Sequence, residues 1–165
     1  MPTEQAKAAS DSGCHFMDLV NLQRKIQLDL DPIRAFVADV SAKVSEAENK
    51  KFSVAFISDD RMRKLNHTFR GKDSTTDVLS FPHEADELEI LATQDSGLAA
   101  FLGDIVISAE QAAKQAAENK LSLDAEIKQL ILHGVLHLCG YDHETDNGEM
   151  NARELELRAN LAIEG

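Results

Sequence analysis

The 165-residue chain contains no tryptophan, one tyrosine and two cysteines, and it has only 17 lysines and arginines against 29 aspartates and glutamates. Two cysteines, Cys14 and Cys139, are too few for the disulfide framework that staples small secreted domains. No segment approaches the run of about 20 apolar residues that a membrane-spanning helix requires. We therefore expect one soluble domain that folds around a single core, with no membrane partner.

The first residues of the chain are polar and small, and they contain no apolar stretch of the kind that a signal peptide needs. We expect residues 1–16 to form a disordered N-terminal extension and residues 17–165 to form the folded domain. Because there is neither a leader nor a disulfide framework, we expect the protein to be cytoplasmic.

The net charge of −12 argues against tight, nonspecific binding to nucleic acid, since such binding depends on lysines and arginines that release counterions from phosphates. The charge is unevenly distributed along the chain, however. Residues 61–72 contain five basic residues and no acidic one, whereas residues 84–95 contain five acidic residues and no basic one. We interpret the acidic run as a solvated surface and expect weak intrinsic affinity for RNA.

Three histidines in one short run predict a metal site. His133 and His137 are four residues apart, so on a helix their rings share one face. Gly140 suits the left-handed turn that ends a helix, and this turn allows His143 to return as a third nitrogen ligand. Three protein nitrogens on Zn²⁺ leave the fourth position to water, which is typical of a catalytic zinc site.

Two alternatives to this interpretation remain open. A structural zinc would need a fourth ligand from Cys139, Asp142 or Glu144, although Cys139 is expected on a different helix face from His137. A peptidase of the metzincin type would need a glutamate base directly after the first histidine. Gly134 occupies that position, so the usual mechanism of peptide hydrolysis lacks its general base.

Residue patterns predict an α+β single domain of about four strands and five helices, with the metal helix packed on the sheet. Predicted strands cover Asp18–Gln27, Phe52–Ile57, Asp77–Pro82 and Gly103–Ser108. Predicted helices begin at Asp31, Ser58, Ser108, Leu123 and Asp146. The first should run to about Glu48, the second should turn Phe69 inward, and the fourth should be the central buried helix over Leu123–Leu138. The acidic stretch Glu84–Leu98 has no clear period and is interpreted as an irregular surface insertion.

The segment Leu65–Pro82 reads LNHTFRGKDSTTDVLSFP. This residue pattern is more specific than an ordinary helix, loop and strand would require. Together with the run from His133 to His143 and with GDIVI at Gly103–Ile107, it resembles the YbeY family of bacterial single-strand endoribonucleases. The resemblance implies a zincin-like fold with a mixed sheet and with the metal site on the central helix and its following turn. It also implies cleavage of single-stranded RNA in 16S rRNA 3′-end maturation and in 70S ribosome quality control.

The same resemblance assigns roles to particular residues. It implies that His133, His137 and His143 are catalytic metal ligands for one zinc ion, and that Arg70 is the essential arginine beside the cleft. Asp104 matches an acidic residue that the family uses near a ribosomal-protein contact. The expected partners are therefore rRNA, the small ribosomal subunit and its basic proteins.

The resemblance also brings out two departures and two open roles. Many members have proline where Thr75 stands, and the acidic stretch between Pro82 and Gly103 is longer than usual. His67 is interpreted as a surface histidine, with a substrate contact as the alternative, and His83 remains unassigned.

The expected chemistry is hydrolysis of a phosphodiester, in which negative charge accumulates on the phosphoryl oxygens. Zinc can polarise one oxygen and acidify a bound water, and the planar fork of Arg70 can bind two further oxygens. An attack by the RNA 2′-hydroxyl group is an equally open route. Asp142 is expected to orient a ligand imidazole. A non-enzymatic assembly factor with a structural zinc and a metal hydrolase of another class are the alternative functions.

Overall fold

The computed structural model describes residues 19–96 and 100–163, so the predicted extension over residues 1–16, with Cys14, lies outside the described residues. Its four strands are β1 (Leu19–Asn21), β2 (Lys50–Ile57), β3 (Val78–Pro82) and β4 (Ala100–Ser108). Its α-helices are α1 (Leu30–Lys43), α2 (Asp59–Arg70), α3 (Glu87–Ser96), α4 (Ala109–Asn119), α5 (Leu123–Leu138) and α6 (Glu149–Asn160). Within these ranges the α+β class and the four-stranded sheet are confirmed.

The sheet is mixed, with the strand order β1-β2-β4-β3. The first three strands in this order are parallel. Strand β3 runs antiparallel to β4 and lies at the opposite edge of the sheet from β1. Helix α5 packs along both β3 and β4. The antiparallel edge strand and the central helix therefore lie side by side, and the space between them becomes the cleft described below.

The main core lies between the sheet and the helices α1, α5 and α6. Ten of the sixteen residues of α5 are buried, which confirms that it is the central helix. Side chains such as Val40, Val54, Ile105 and Ile131 are completely inaccessible to solvent. Full burial of one such side chain is worth about 1.5–3 kcal/mol, so this core contains much of the apolar burial that drives folding. A smaller cluster, Ile57, Met62 and Leu79, packs in a second group with Leu65, Phe81 and Val106.

The acidic stretch that was predicted to be irregular contains a helix, α3, which brings the number of described α-helices to six instead of five. The helix begins with a reciprocal capping box. The Asp86 carboxylate accepts a hydrogen bond from the Glu89 amide at 2.9 Å, and the Glu89 carboxylate accepts one from the Asp86 amide at 3.1 Å. The Asp-x-x-Glu spacing was therefore a better predictor of this helix than apolar periodicity, which is weak in an exposed helix.

Several element boundaries also differ from the prediction. Helix α1 begins at Leu30 with Asp29 as its N-cap, because the Asp29 carboxylate accepts a hydrogen bond from the Asp31 amide at 3.2 Å. It ends at Lys43, and a 3₁₀ turn follows over Ser45–Ala47. Strand β1 has only three residues. Across the described residues, no helix is both long enough and apolar enough to span a membrane.

Candidate metal centre

Helix α5 and the turn after it bring the three histidines together. His133 and His137 lie one turn apart on α5, which ends at Leu138. Gly140 has a φ of 102°, a conformation that favours glycine, and the Tyr141 amide donates a hydrogen bond to the Leu136 carbonyl at 3.0 Å. The turn returns His143 to the helix end, and one ring nitrogen from each histidine lies within 4.8 Å of the other two.

The donor set of this cluster fits a metal ion. Zn–N bonds of about 2.0–2.1 Å place two ligand nitrogens of a tetrahedral site about 3.3 Å apart. The Nε2 atoms of His133 and His137 are 3.2 Å apart. Burial lowers the pKa of His137, and the neighbouring imidazoles of His133 and His143 lower this pKa further. A low pKa keeps an imidazole neutral, which is the form that binds a metal. The three histidines can therefore hold a metal ion.

Hydrogen bonds fix the orientation of both imidazoles on α5. His133 Nδ1 donates to Glu154 Oε1 at 2.9 Å, and His137 Nδ1 donates to the Tyr141 carbonyl at 3.0 Å. Both Nε2 atoms are consequently the nitrogens left for a ligand. Glu154 is only 7% exposed and also accepts a 2.6 Å hydrogen bond from Arg158. Burial alone would raise the pKa of Glu154, but the hydrogen bonds from His133 and Arg158 outweigh it and keep the carboxylate ionised.

Glu154 contacts a candidate metal ligand, and the sequence reasoning missed it. Asp142 was expected to orient a ligand imidazole, but its carboxylate accepts a 3.0 Å hydrogen bond from the Glu144 amide. The available signal was the periodicity of α6, in which Met150 and Leu157 are buried and Glu154 shares their face. A carboxylate on the buried face of a helix needs a partner, and the unassigned imidazole nitrogens were the candidates.

Replacing Glu154 by glutamine is expected to weaken zinc binding about 10- to 100-fold, because a carboxylate raises the basicity of the imidazole that it contacts. Competition with a chromophoric zinc chelator measures the affinity. Glu156→Gln is the matched control, since this acid on the same helix pairs with Arg153 instead of a histidine. Equal affinities in the two variants would show that Glu154 has no influence on the metal site.

A second set of polar contacts holds the turn that contains Tyr141. Its hydroxyl group donates a hydrogen bond to Glu46 Oε2 at 2.8 Å. Arg153 donates two hydrogen bonds, of 2.8 and 2.9 Å, to the same carboxylate. These bonds, with Arg153 foremost, lower the pKa of Glu46 to about 2, despite the opposing effect of burial. The contacts therefore join the 3₁₀ turn, the glycine turn and α6.

The low pKa of Glu46 predicts a pH-dependent stability. Its folded pKa of about 2 lies below the ordinary value of 4.5, so the contribution of Glu46 is complete above pH 4.5. That contribution should decline as the pH falls toward 2. Urea unfolding of the wild type and of Glu46→Gln should show a difference in unfolding free energy that is constant from pH 7 to 5 and shrinks below pH 4.5. A constant difference down to pH 2.5 would contradict the prediction.

The three histidines open onto a cleft of about 660 Å³. Arg70, at the end of α2, lines the same cleft, as do Thr76 and Ser80 on the side of β3. Only the resemblance predicted that Arg70 lies beside the metal site. In the structure Arg70 lines the same cleft as the three histidines. The cleft also contains the carboxylates of Asp77 and Asp142.

The loop between Arg70 and β3 is tied to α2 at several points. Asn66 donates a hydrogen bond to the Ser74 carbonyl at 2.8 Å, and Arg63 pairs with Asp73 at 2.8 Å. The Thr75 hydroxyl donates to Asp59 at 2.9 Å. Thr75 therefore holds the loop by a side-chain hydrogen bond.

Packing explains the absence of a glutamate base after the first histidine. A Cβ atom on Gly134 would lie 3.0 Å from two side-chain atoms of Ile105, on strand β4. A side chain at this position would therefore require Ile105 to shift by a few tenths of an ångström, so the close packing favours glycine here. Cys139 caps the helix, and its thiol lies 3.7 Å from the Glu46 carbonyl. Among the described residues it does not belong to the histidine cluster, which offers three possible ligand atoms.

The remaining candidates lie away from the histidine cluster. His67 is exposed on α2, and the His83 ring pairs with Glu89 at 3.0 Å. Asp104 is exposed on β4, where it accepts a short hydrogen bond from the Ser53 hydroxyl. It is not among the residues that line the cleft. The interpretation of His67 as a surface histidine fits its exposure, and the role of Asp104 in a ribosomal-protein contact remains a prediction.

Comparison with known proteins supports the resemblance. The family model described as Endoribonuclease YbeY matches residues 18–162. A protein named Endoribonuclease YbeY from Nautilia profundicola is 49% identical over 115 residues, which are 70% of this chain and 75% of that protein. A protein of the same name from Thermoanaerobacter sp. is 37% identical over 161 residues, which are 89% of this chain and 99% of that protein.

A solution structure of a protein from Thermotoga maritima has the same fold, with a TM-score of 0.54 at 24% identity. The match covers 89% of this chain and 96% of that one. The family model, the extensive identity to named relatives and the shared fold agree with one another. The chain belongs to the Endoribonuclease YbeY family.

Proposed function

We propose that the protein is a zinc-dependent, single-strand-specific endoribonuclease with a zincin-like active site formed by His133, His137, His143 and Arg70. The observation that carries the proposal is the shared cleft, which the three histidines and Arg70 all line. The names of the relatives supply the reaction class, since the matched proteins are called endoribonucleases. We further propose that it acts in the cytoplasm, on 16S rRNA 3′ ends and in 70S ribosome quality control.

In the proposed mechanism the three histidines hold one zinc ion. Bound there, Zn²⁺ would polarise a phosphoryl oxygen and lower the pKa of a water molecule to about 7. Arg70 binds the remaining phosphoryl oxygens through its planar fork and stabilises the negative charge that accumulates on them. Hydrogen bonds that His133 and His137 donate to Glu154 and to the Tyr141 carbonyl keep both imidazoles aimed at the cleft.

The charge of the cleft explains why RNA binding would depend on the metal. Arg70 is the one lysine or arginine among the described residues that line the cleft, whereas Asp77, Asp142 and Glu144 contribute three carboxylates. A polyanion is repelled by such a set unless a divalent cation compensates for it. The metal would therefore contribute to substrate binding as well as to the chemistry.

The test is cleavage of a labelled RNA spanning a 16S rRNA 3′ end, with metal-free protein and with protein restored to one zinc ion per chain. We expect cleavage only by the restored protein, and only while the RNA is single-stranded. Annealing a complementary strand is the control for strand specificity, and a peptide library tests for hydrolysis of another class. Peptide cleavage without RNA cleavage would refute the proposal.

A substrate with one 2′-deoxynucleotide on the 5′ side of the scissile phosphate separates the two possible nucleophiles. Attack by water leaves this substrate cleavable, whereas attack by the RNA 2′-hydroxyl group makes it inert. The identity of the 3′ end of the upstream product, a hydroxyl group or a cyclic phosphate, provides an independent readout of the same choice.

The acidic surface supports the proposal that docking on basic ribosomal proteins supplements weak RNA affinity. The net charge of −12 complements such partners, and electrostatic attraction of this kind weakens with salt. Binding of the protein to small ribosomal subunits should therefore decrease as the salt concentration rises. Binding that is unaffected by salt would show that another surface makes the contact.

A further inference from the structure

Phe69 is exposed at the end of α2, against the prediction that it turns inward. Its side chain is 62% exposed, although aromatic residues make up only 5% of the chain. An exposed phenylalanine of this kind leaves apolar ring area in contact with water, which is unfavourable in the free protein. The next residue in the chain is Arg70, which lines the cleft.

The Phe69 ring packs against strand β3, which borders the cleft. It packs edge-to-face on Phe81, with ring centroids 5.1 Å apart and an interplanar angle of 71°. Phe81 is on strand β3, and its two neighbours in the chain, Ser80 and Pro82, both line the cleft. Because successive side chains of a strand point to opposite faces, the phenylalanine pair lies across β3 from Ser80.

The surroundings of Phe69 favour an anionic ligand over an apolar one. The run from residue 61 to residue 72 is the one with five basic residues in an otherwise acidic chain. Arg63, Lys64 and His67 line a groove on α2, although Asp60 and Asp73 contribute two carboxylates to it. Helix α2 thus carries both an exposed aromatic ring and several cations, the residue types by which proteins hold single-stranded nucleic acids, with bases stacked and phosphates paired.

We propose that Phe69 is a base-stacking platform that receives the nucleobase next to the phosphate bound by Arg70. This inference rests on the proposed endoribonuclease function and extends it to substrate positioning. Phe69 and Arg70 are consecutive at the end of α2, so the same helix turn would present the guanidinium group that pairs with the phosphate and the ring that stacks with a neighbouring base. Phe81 supports the ring from the side, which keeps it in place before RNA arrives.

Such a platform would explain a preference for single strands by geometry. A base within a duplex has both faces covered by its neighbours, whereas an unpaired base can turn out and stack on a side chain. Stacking requires no hydrogen bond to a base edge, so it tolerates sequence variation. Strand specificity would then depend on Phe69 as well as on the width of the cleft.

The absence of tryptophan from the chain allows a direct test. In Phe69→Trp the new indole is the single tryptophan, and stopped-flow mixing of the zinc-loaded protein with single-stranded RNA should quench its fluorescence before cleavage occurs. A duplex of the same sequence should quench it much less. No quenching by an RNA that the protein cleaves would overturn the stacking proposal and leave the endoribonuclease proposal intact.

A substitution that keeps the apolar character and removes the aromatic face provides the second measurement. Phe69→Leu should raise the KM for single-stranded RNA about tenfold, the size expected for one base stacked on a ring. An oligonucleotide with an abasic site at the stacked position should bind equally to the wild type and to Phe69→Leu. Phe101→Leu is the matched control, because Phe101 is 40% exposed and also packs edge-to-face, on His83.

Each remaining outcome decides between the two proposals. If the wild type cleaves no RNA, the endoribonuclease proposal fails, and quenching of Phe69→Trp by RNA still decides whether a base stacks there. If Phe69→Leu leaves the KM unchanged but shifts the sedimentation of the protein to a smaller species, the ring is a contact between copies of the chain. That result would overturn the stacking proposal.

Discussion

Arg70→Ala is expected to reduce RNA cleavage at least a hundredfold while leaving zinc content and melting temperature unchanged. The reason is that an arginine aimed at developing charge acts mainly in the transition state, and removal of one such donor typically costs about 10²–10³ in rate. Arg70 is exposed, so its removal creates no cavity in the core. The measurement is single-turnover cleavage of the labelled RNA, with zinc quantified in each preparation.

Arg70→Lys tests whether the planar fork matters as well as the charge. Lysine retains the positive charge but cannot bind two phosphoryl oxygens in parallel, so we expect only partial recovery of the rate. Arg61→Ala is the matched control, because Arg61 is an exposed arginine on the same helix and does not line the cleft. Equal cleavage by Arg70→Ala and the wild type would remove Arg70 from the proposed mechanism.

His143→Ala is expected to abolish stoichiometric zinc binding and RNA cleavage without unfolding the protein. His143 is the exposed member of the cluster and lies in the turn after α5, so its loss leaves the main core untouched. Two remaining nitrogens provide too few ligands for the usual zinc site. Zinc content, cleavage and far-ultraviolet circular dichroism at 25 °C measure the three expectations.

The same variant distinguishes a catalytic zinc from a structural one. A structural zinc site contributes about 10–16 kcal/mol to folding, so its loss would unfold the domain. Here the main core packs without any contribution from the cluster, and metal-free wild type and metal-free His143→Ala should melt at nearly the same temperature. His67→Ala is the control, since His67 is exposed and lies outside the cluster. Unfolding of both metal-free proteins at 25 °C would favour the assembly factor with a structural zinc.

The predictions that came closest to the structure rest on contacts that are local in the chain. The spacing of His133 and His137 requires only that the segment is helical, and the turn at Gly140 requires only one residue that tolerates a positive φ. The caps at Ser58 and Ser108 involve amides three residues away. Such features depend on a few neighbouring residues, so the sequence is enough to predict them.

Element ends and exposed elements were predicted less well. Helix α3 has exposed apolar residues, among them Leu88 and Leu91, so no buried face produced a readable period. The first helix was expected to run to about Glu48, but the chain leaves the α-helical path after Lys43. In both cases the apolar period alone did not indicate where the element begins or ends.

The sequence by itself determined the family and predicted the three histidines and the arginine as site residues, because these are residue types at short, particular spacings. Tertiary structure alone decided that Glu154 contacts His133, that Ile105 packs closely on Gly134, and that Phe69 faces solvent. Each of these contacts or exposures depends on how α2, α5 and α6 pack with the sheet. A one-dimensional pattern records which face of a helix is apolar, but the partner on that face depends on residues distant in the chain.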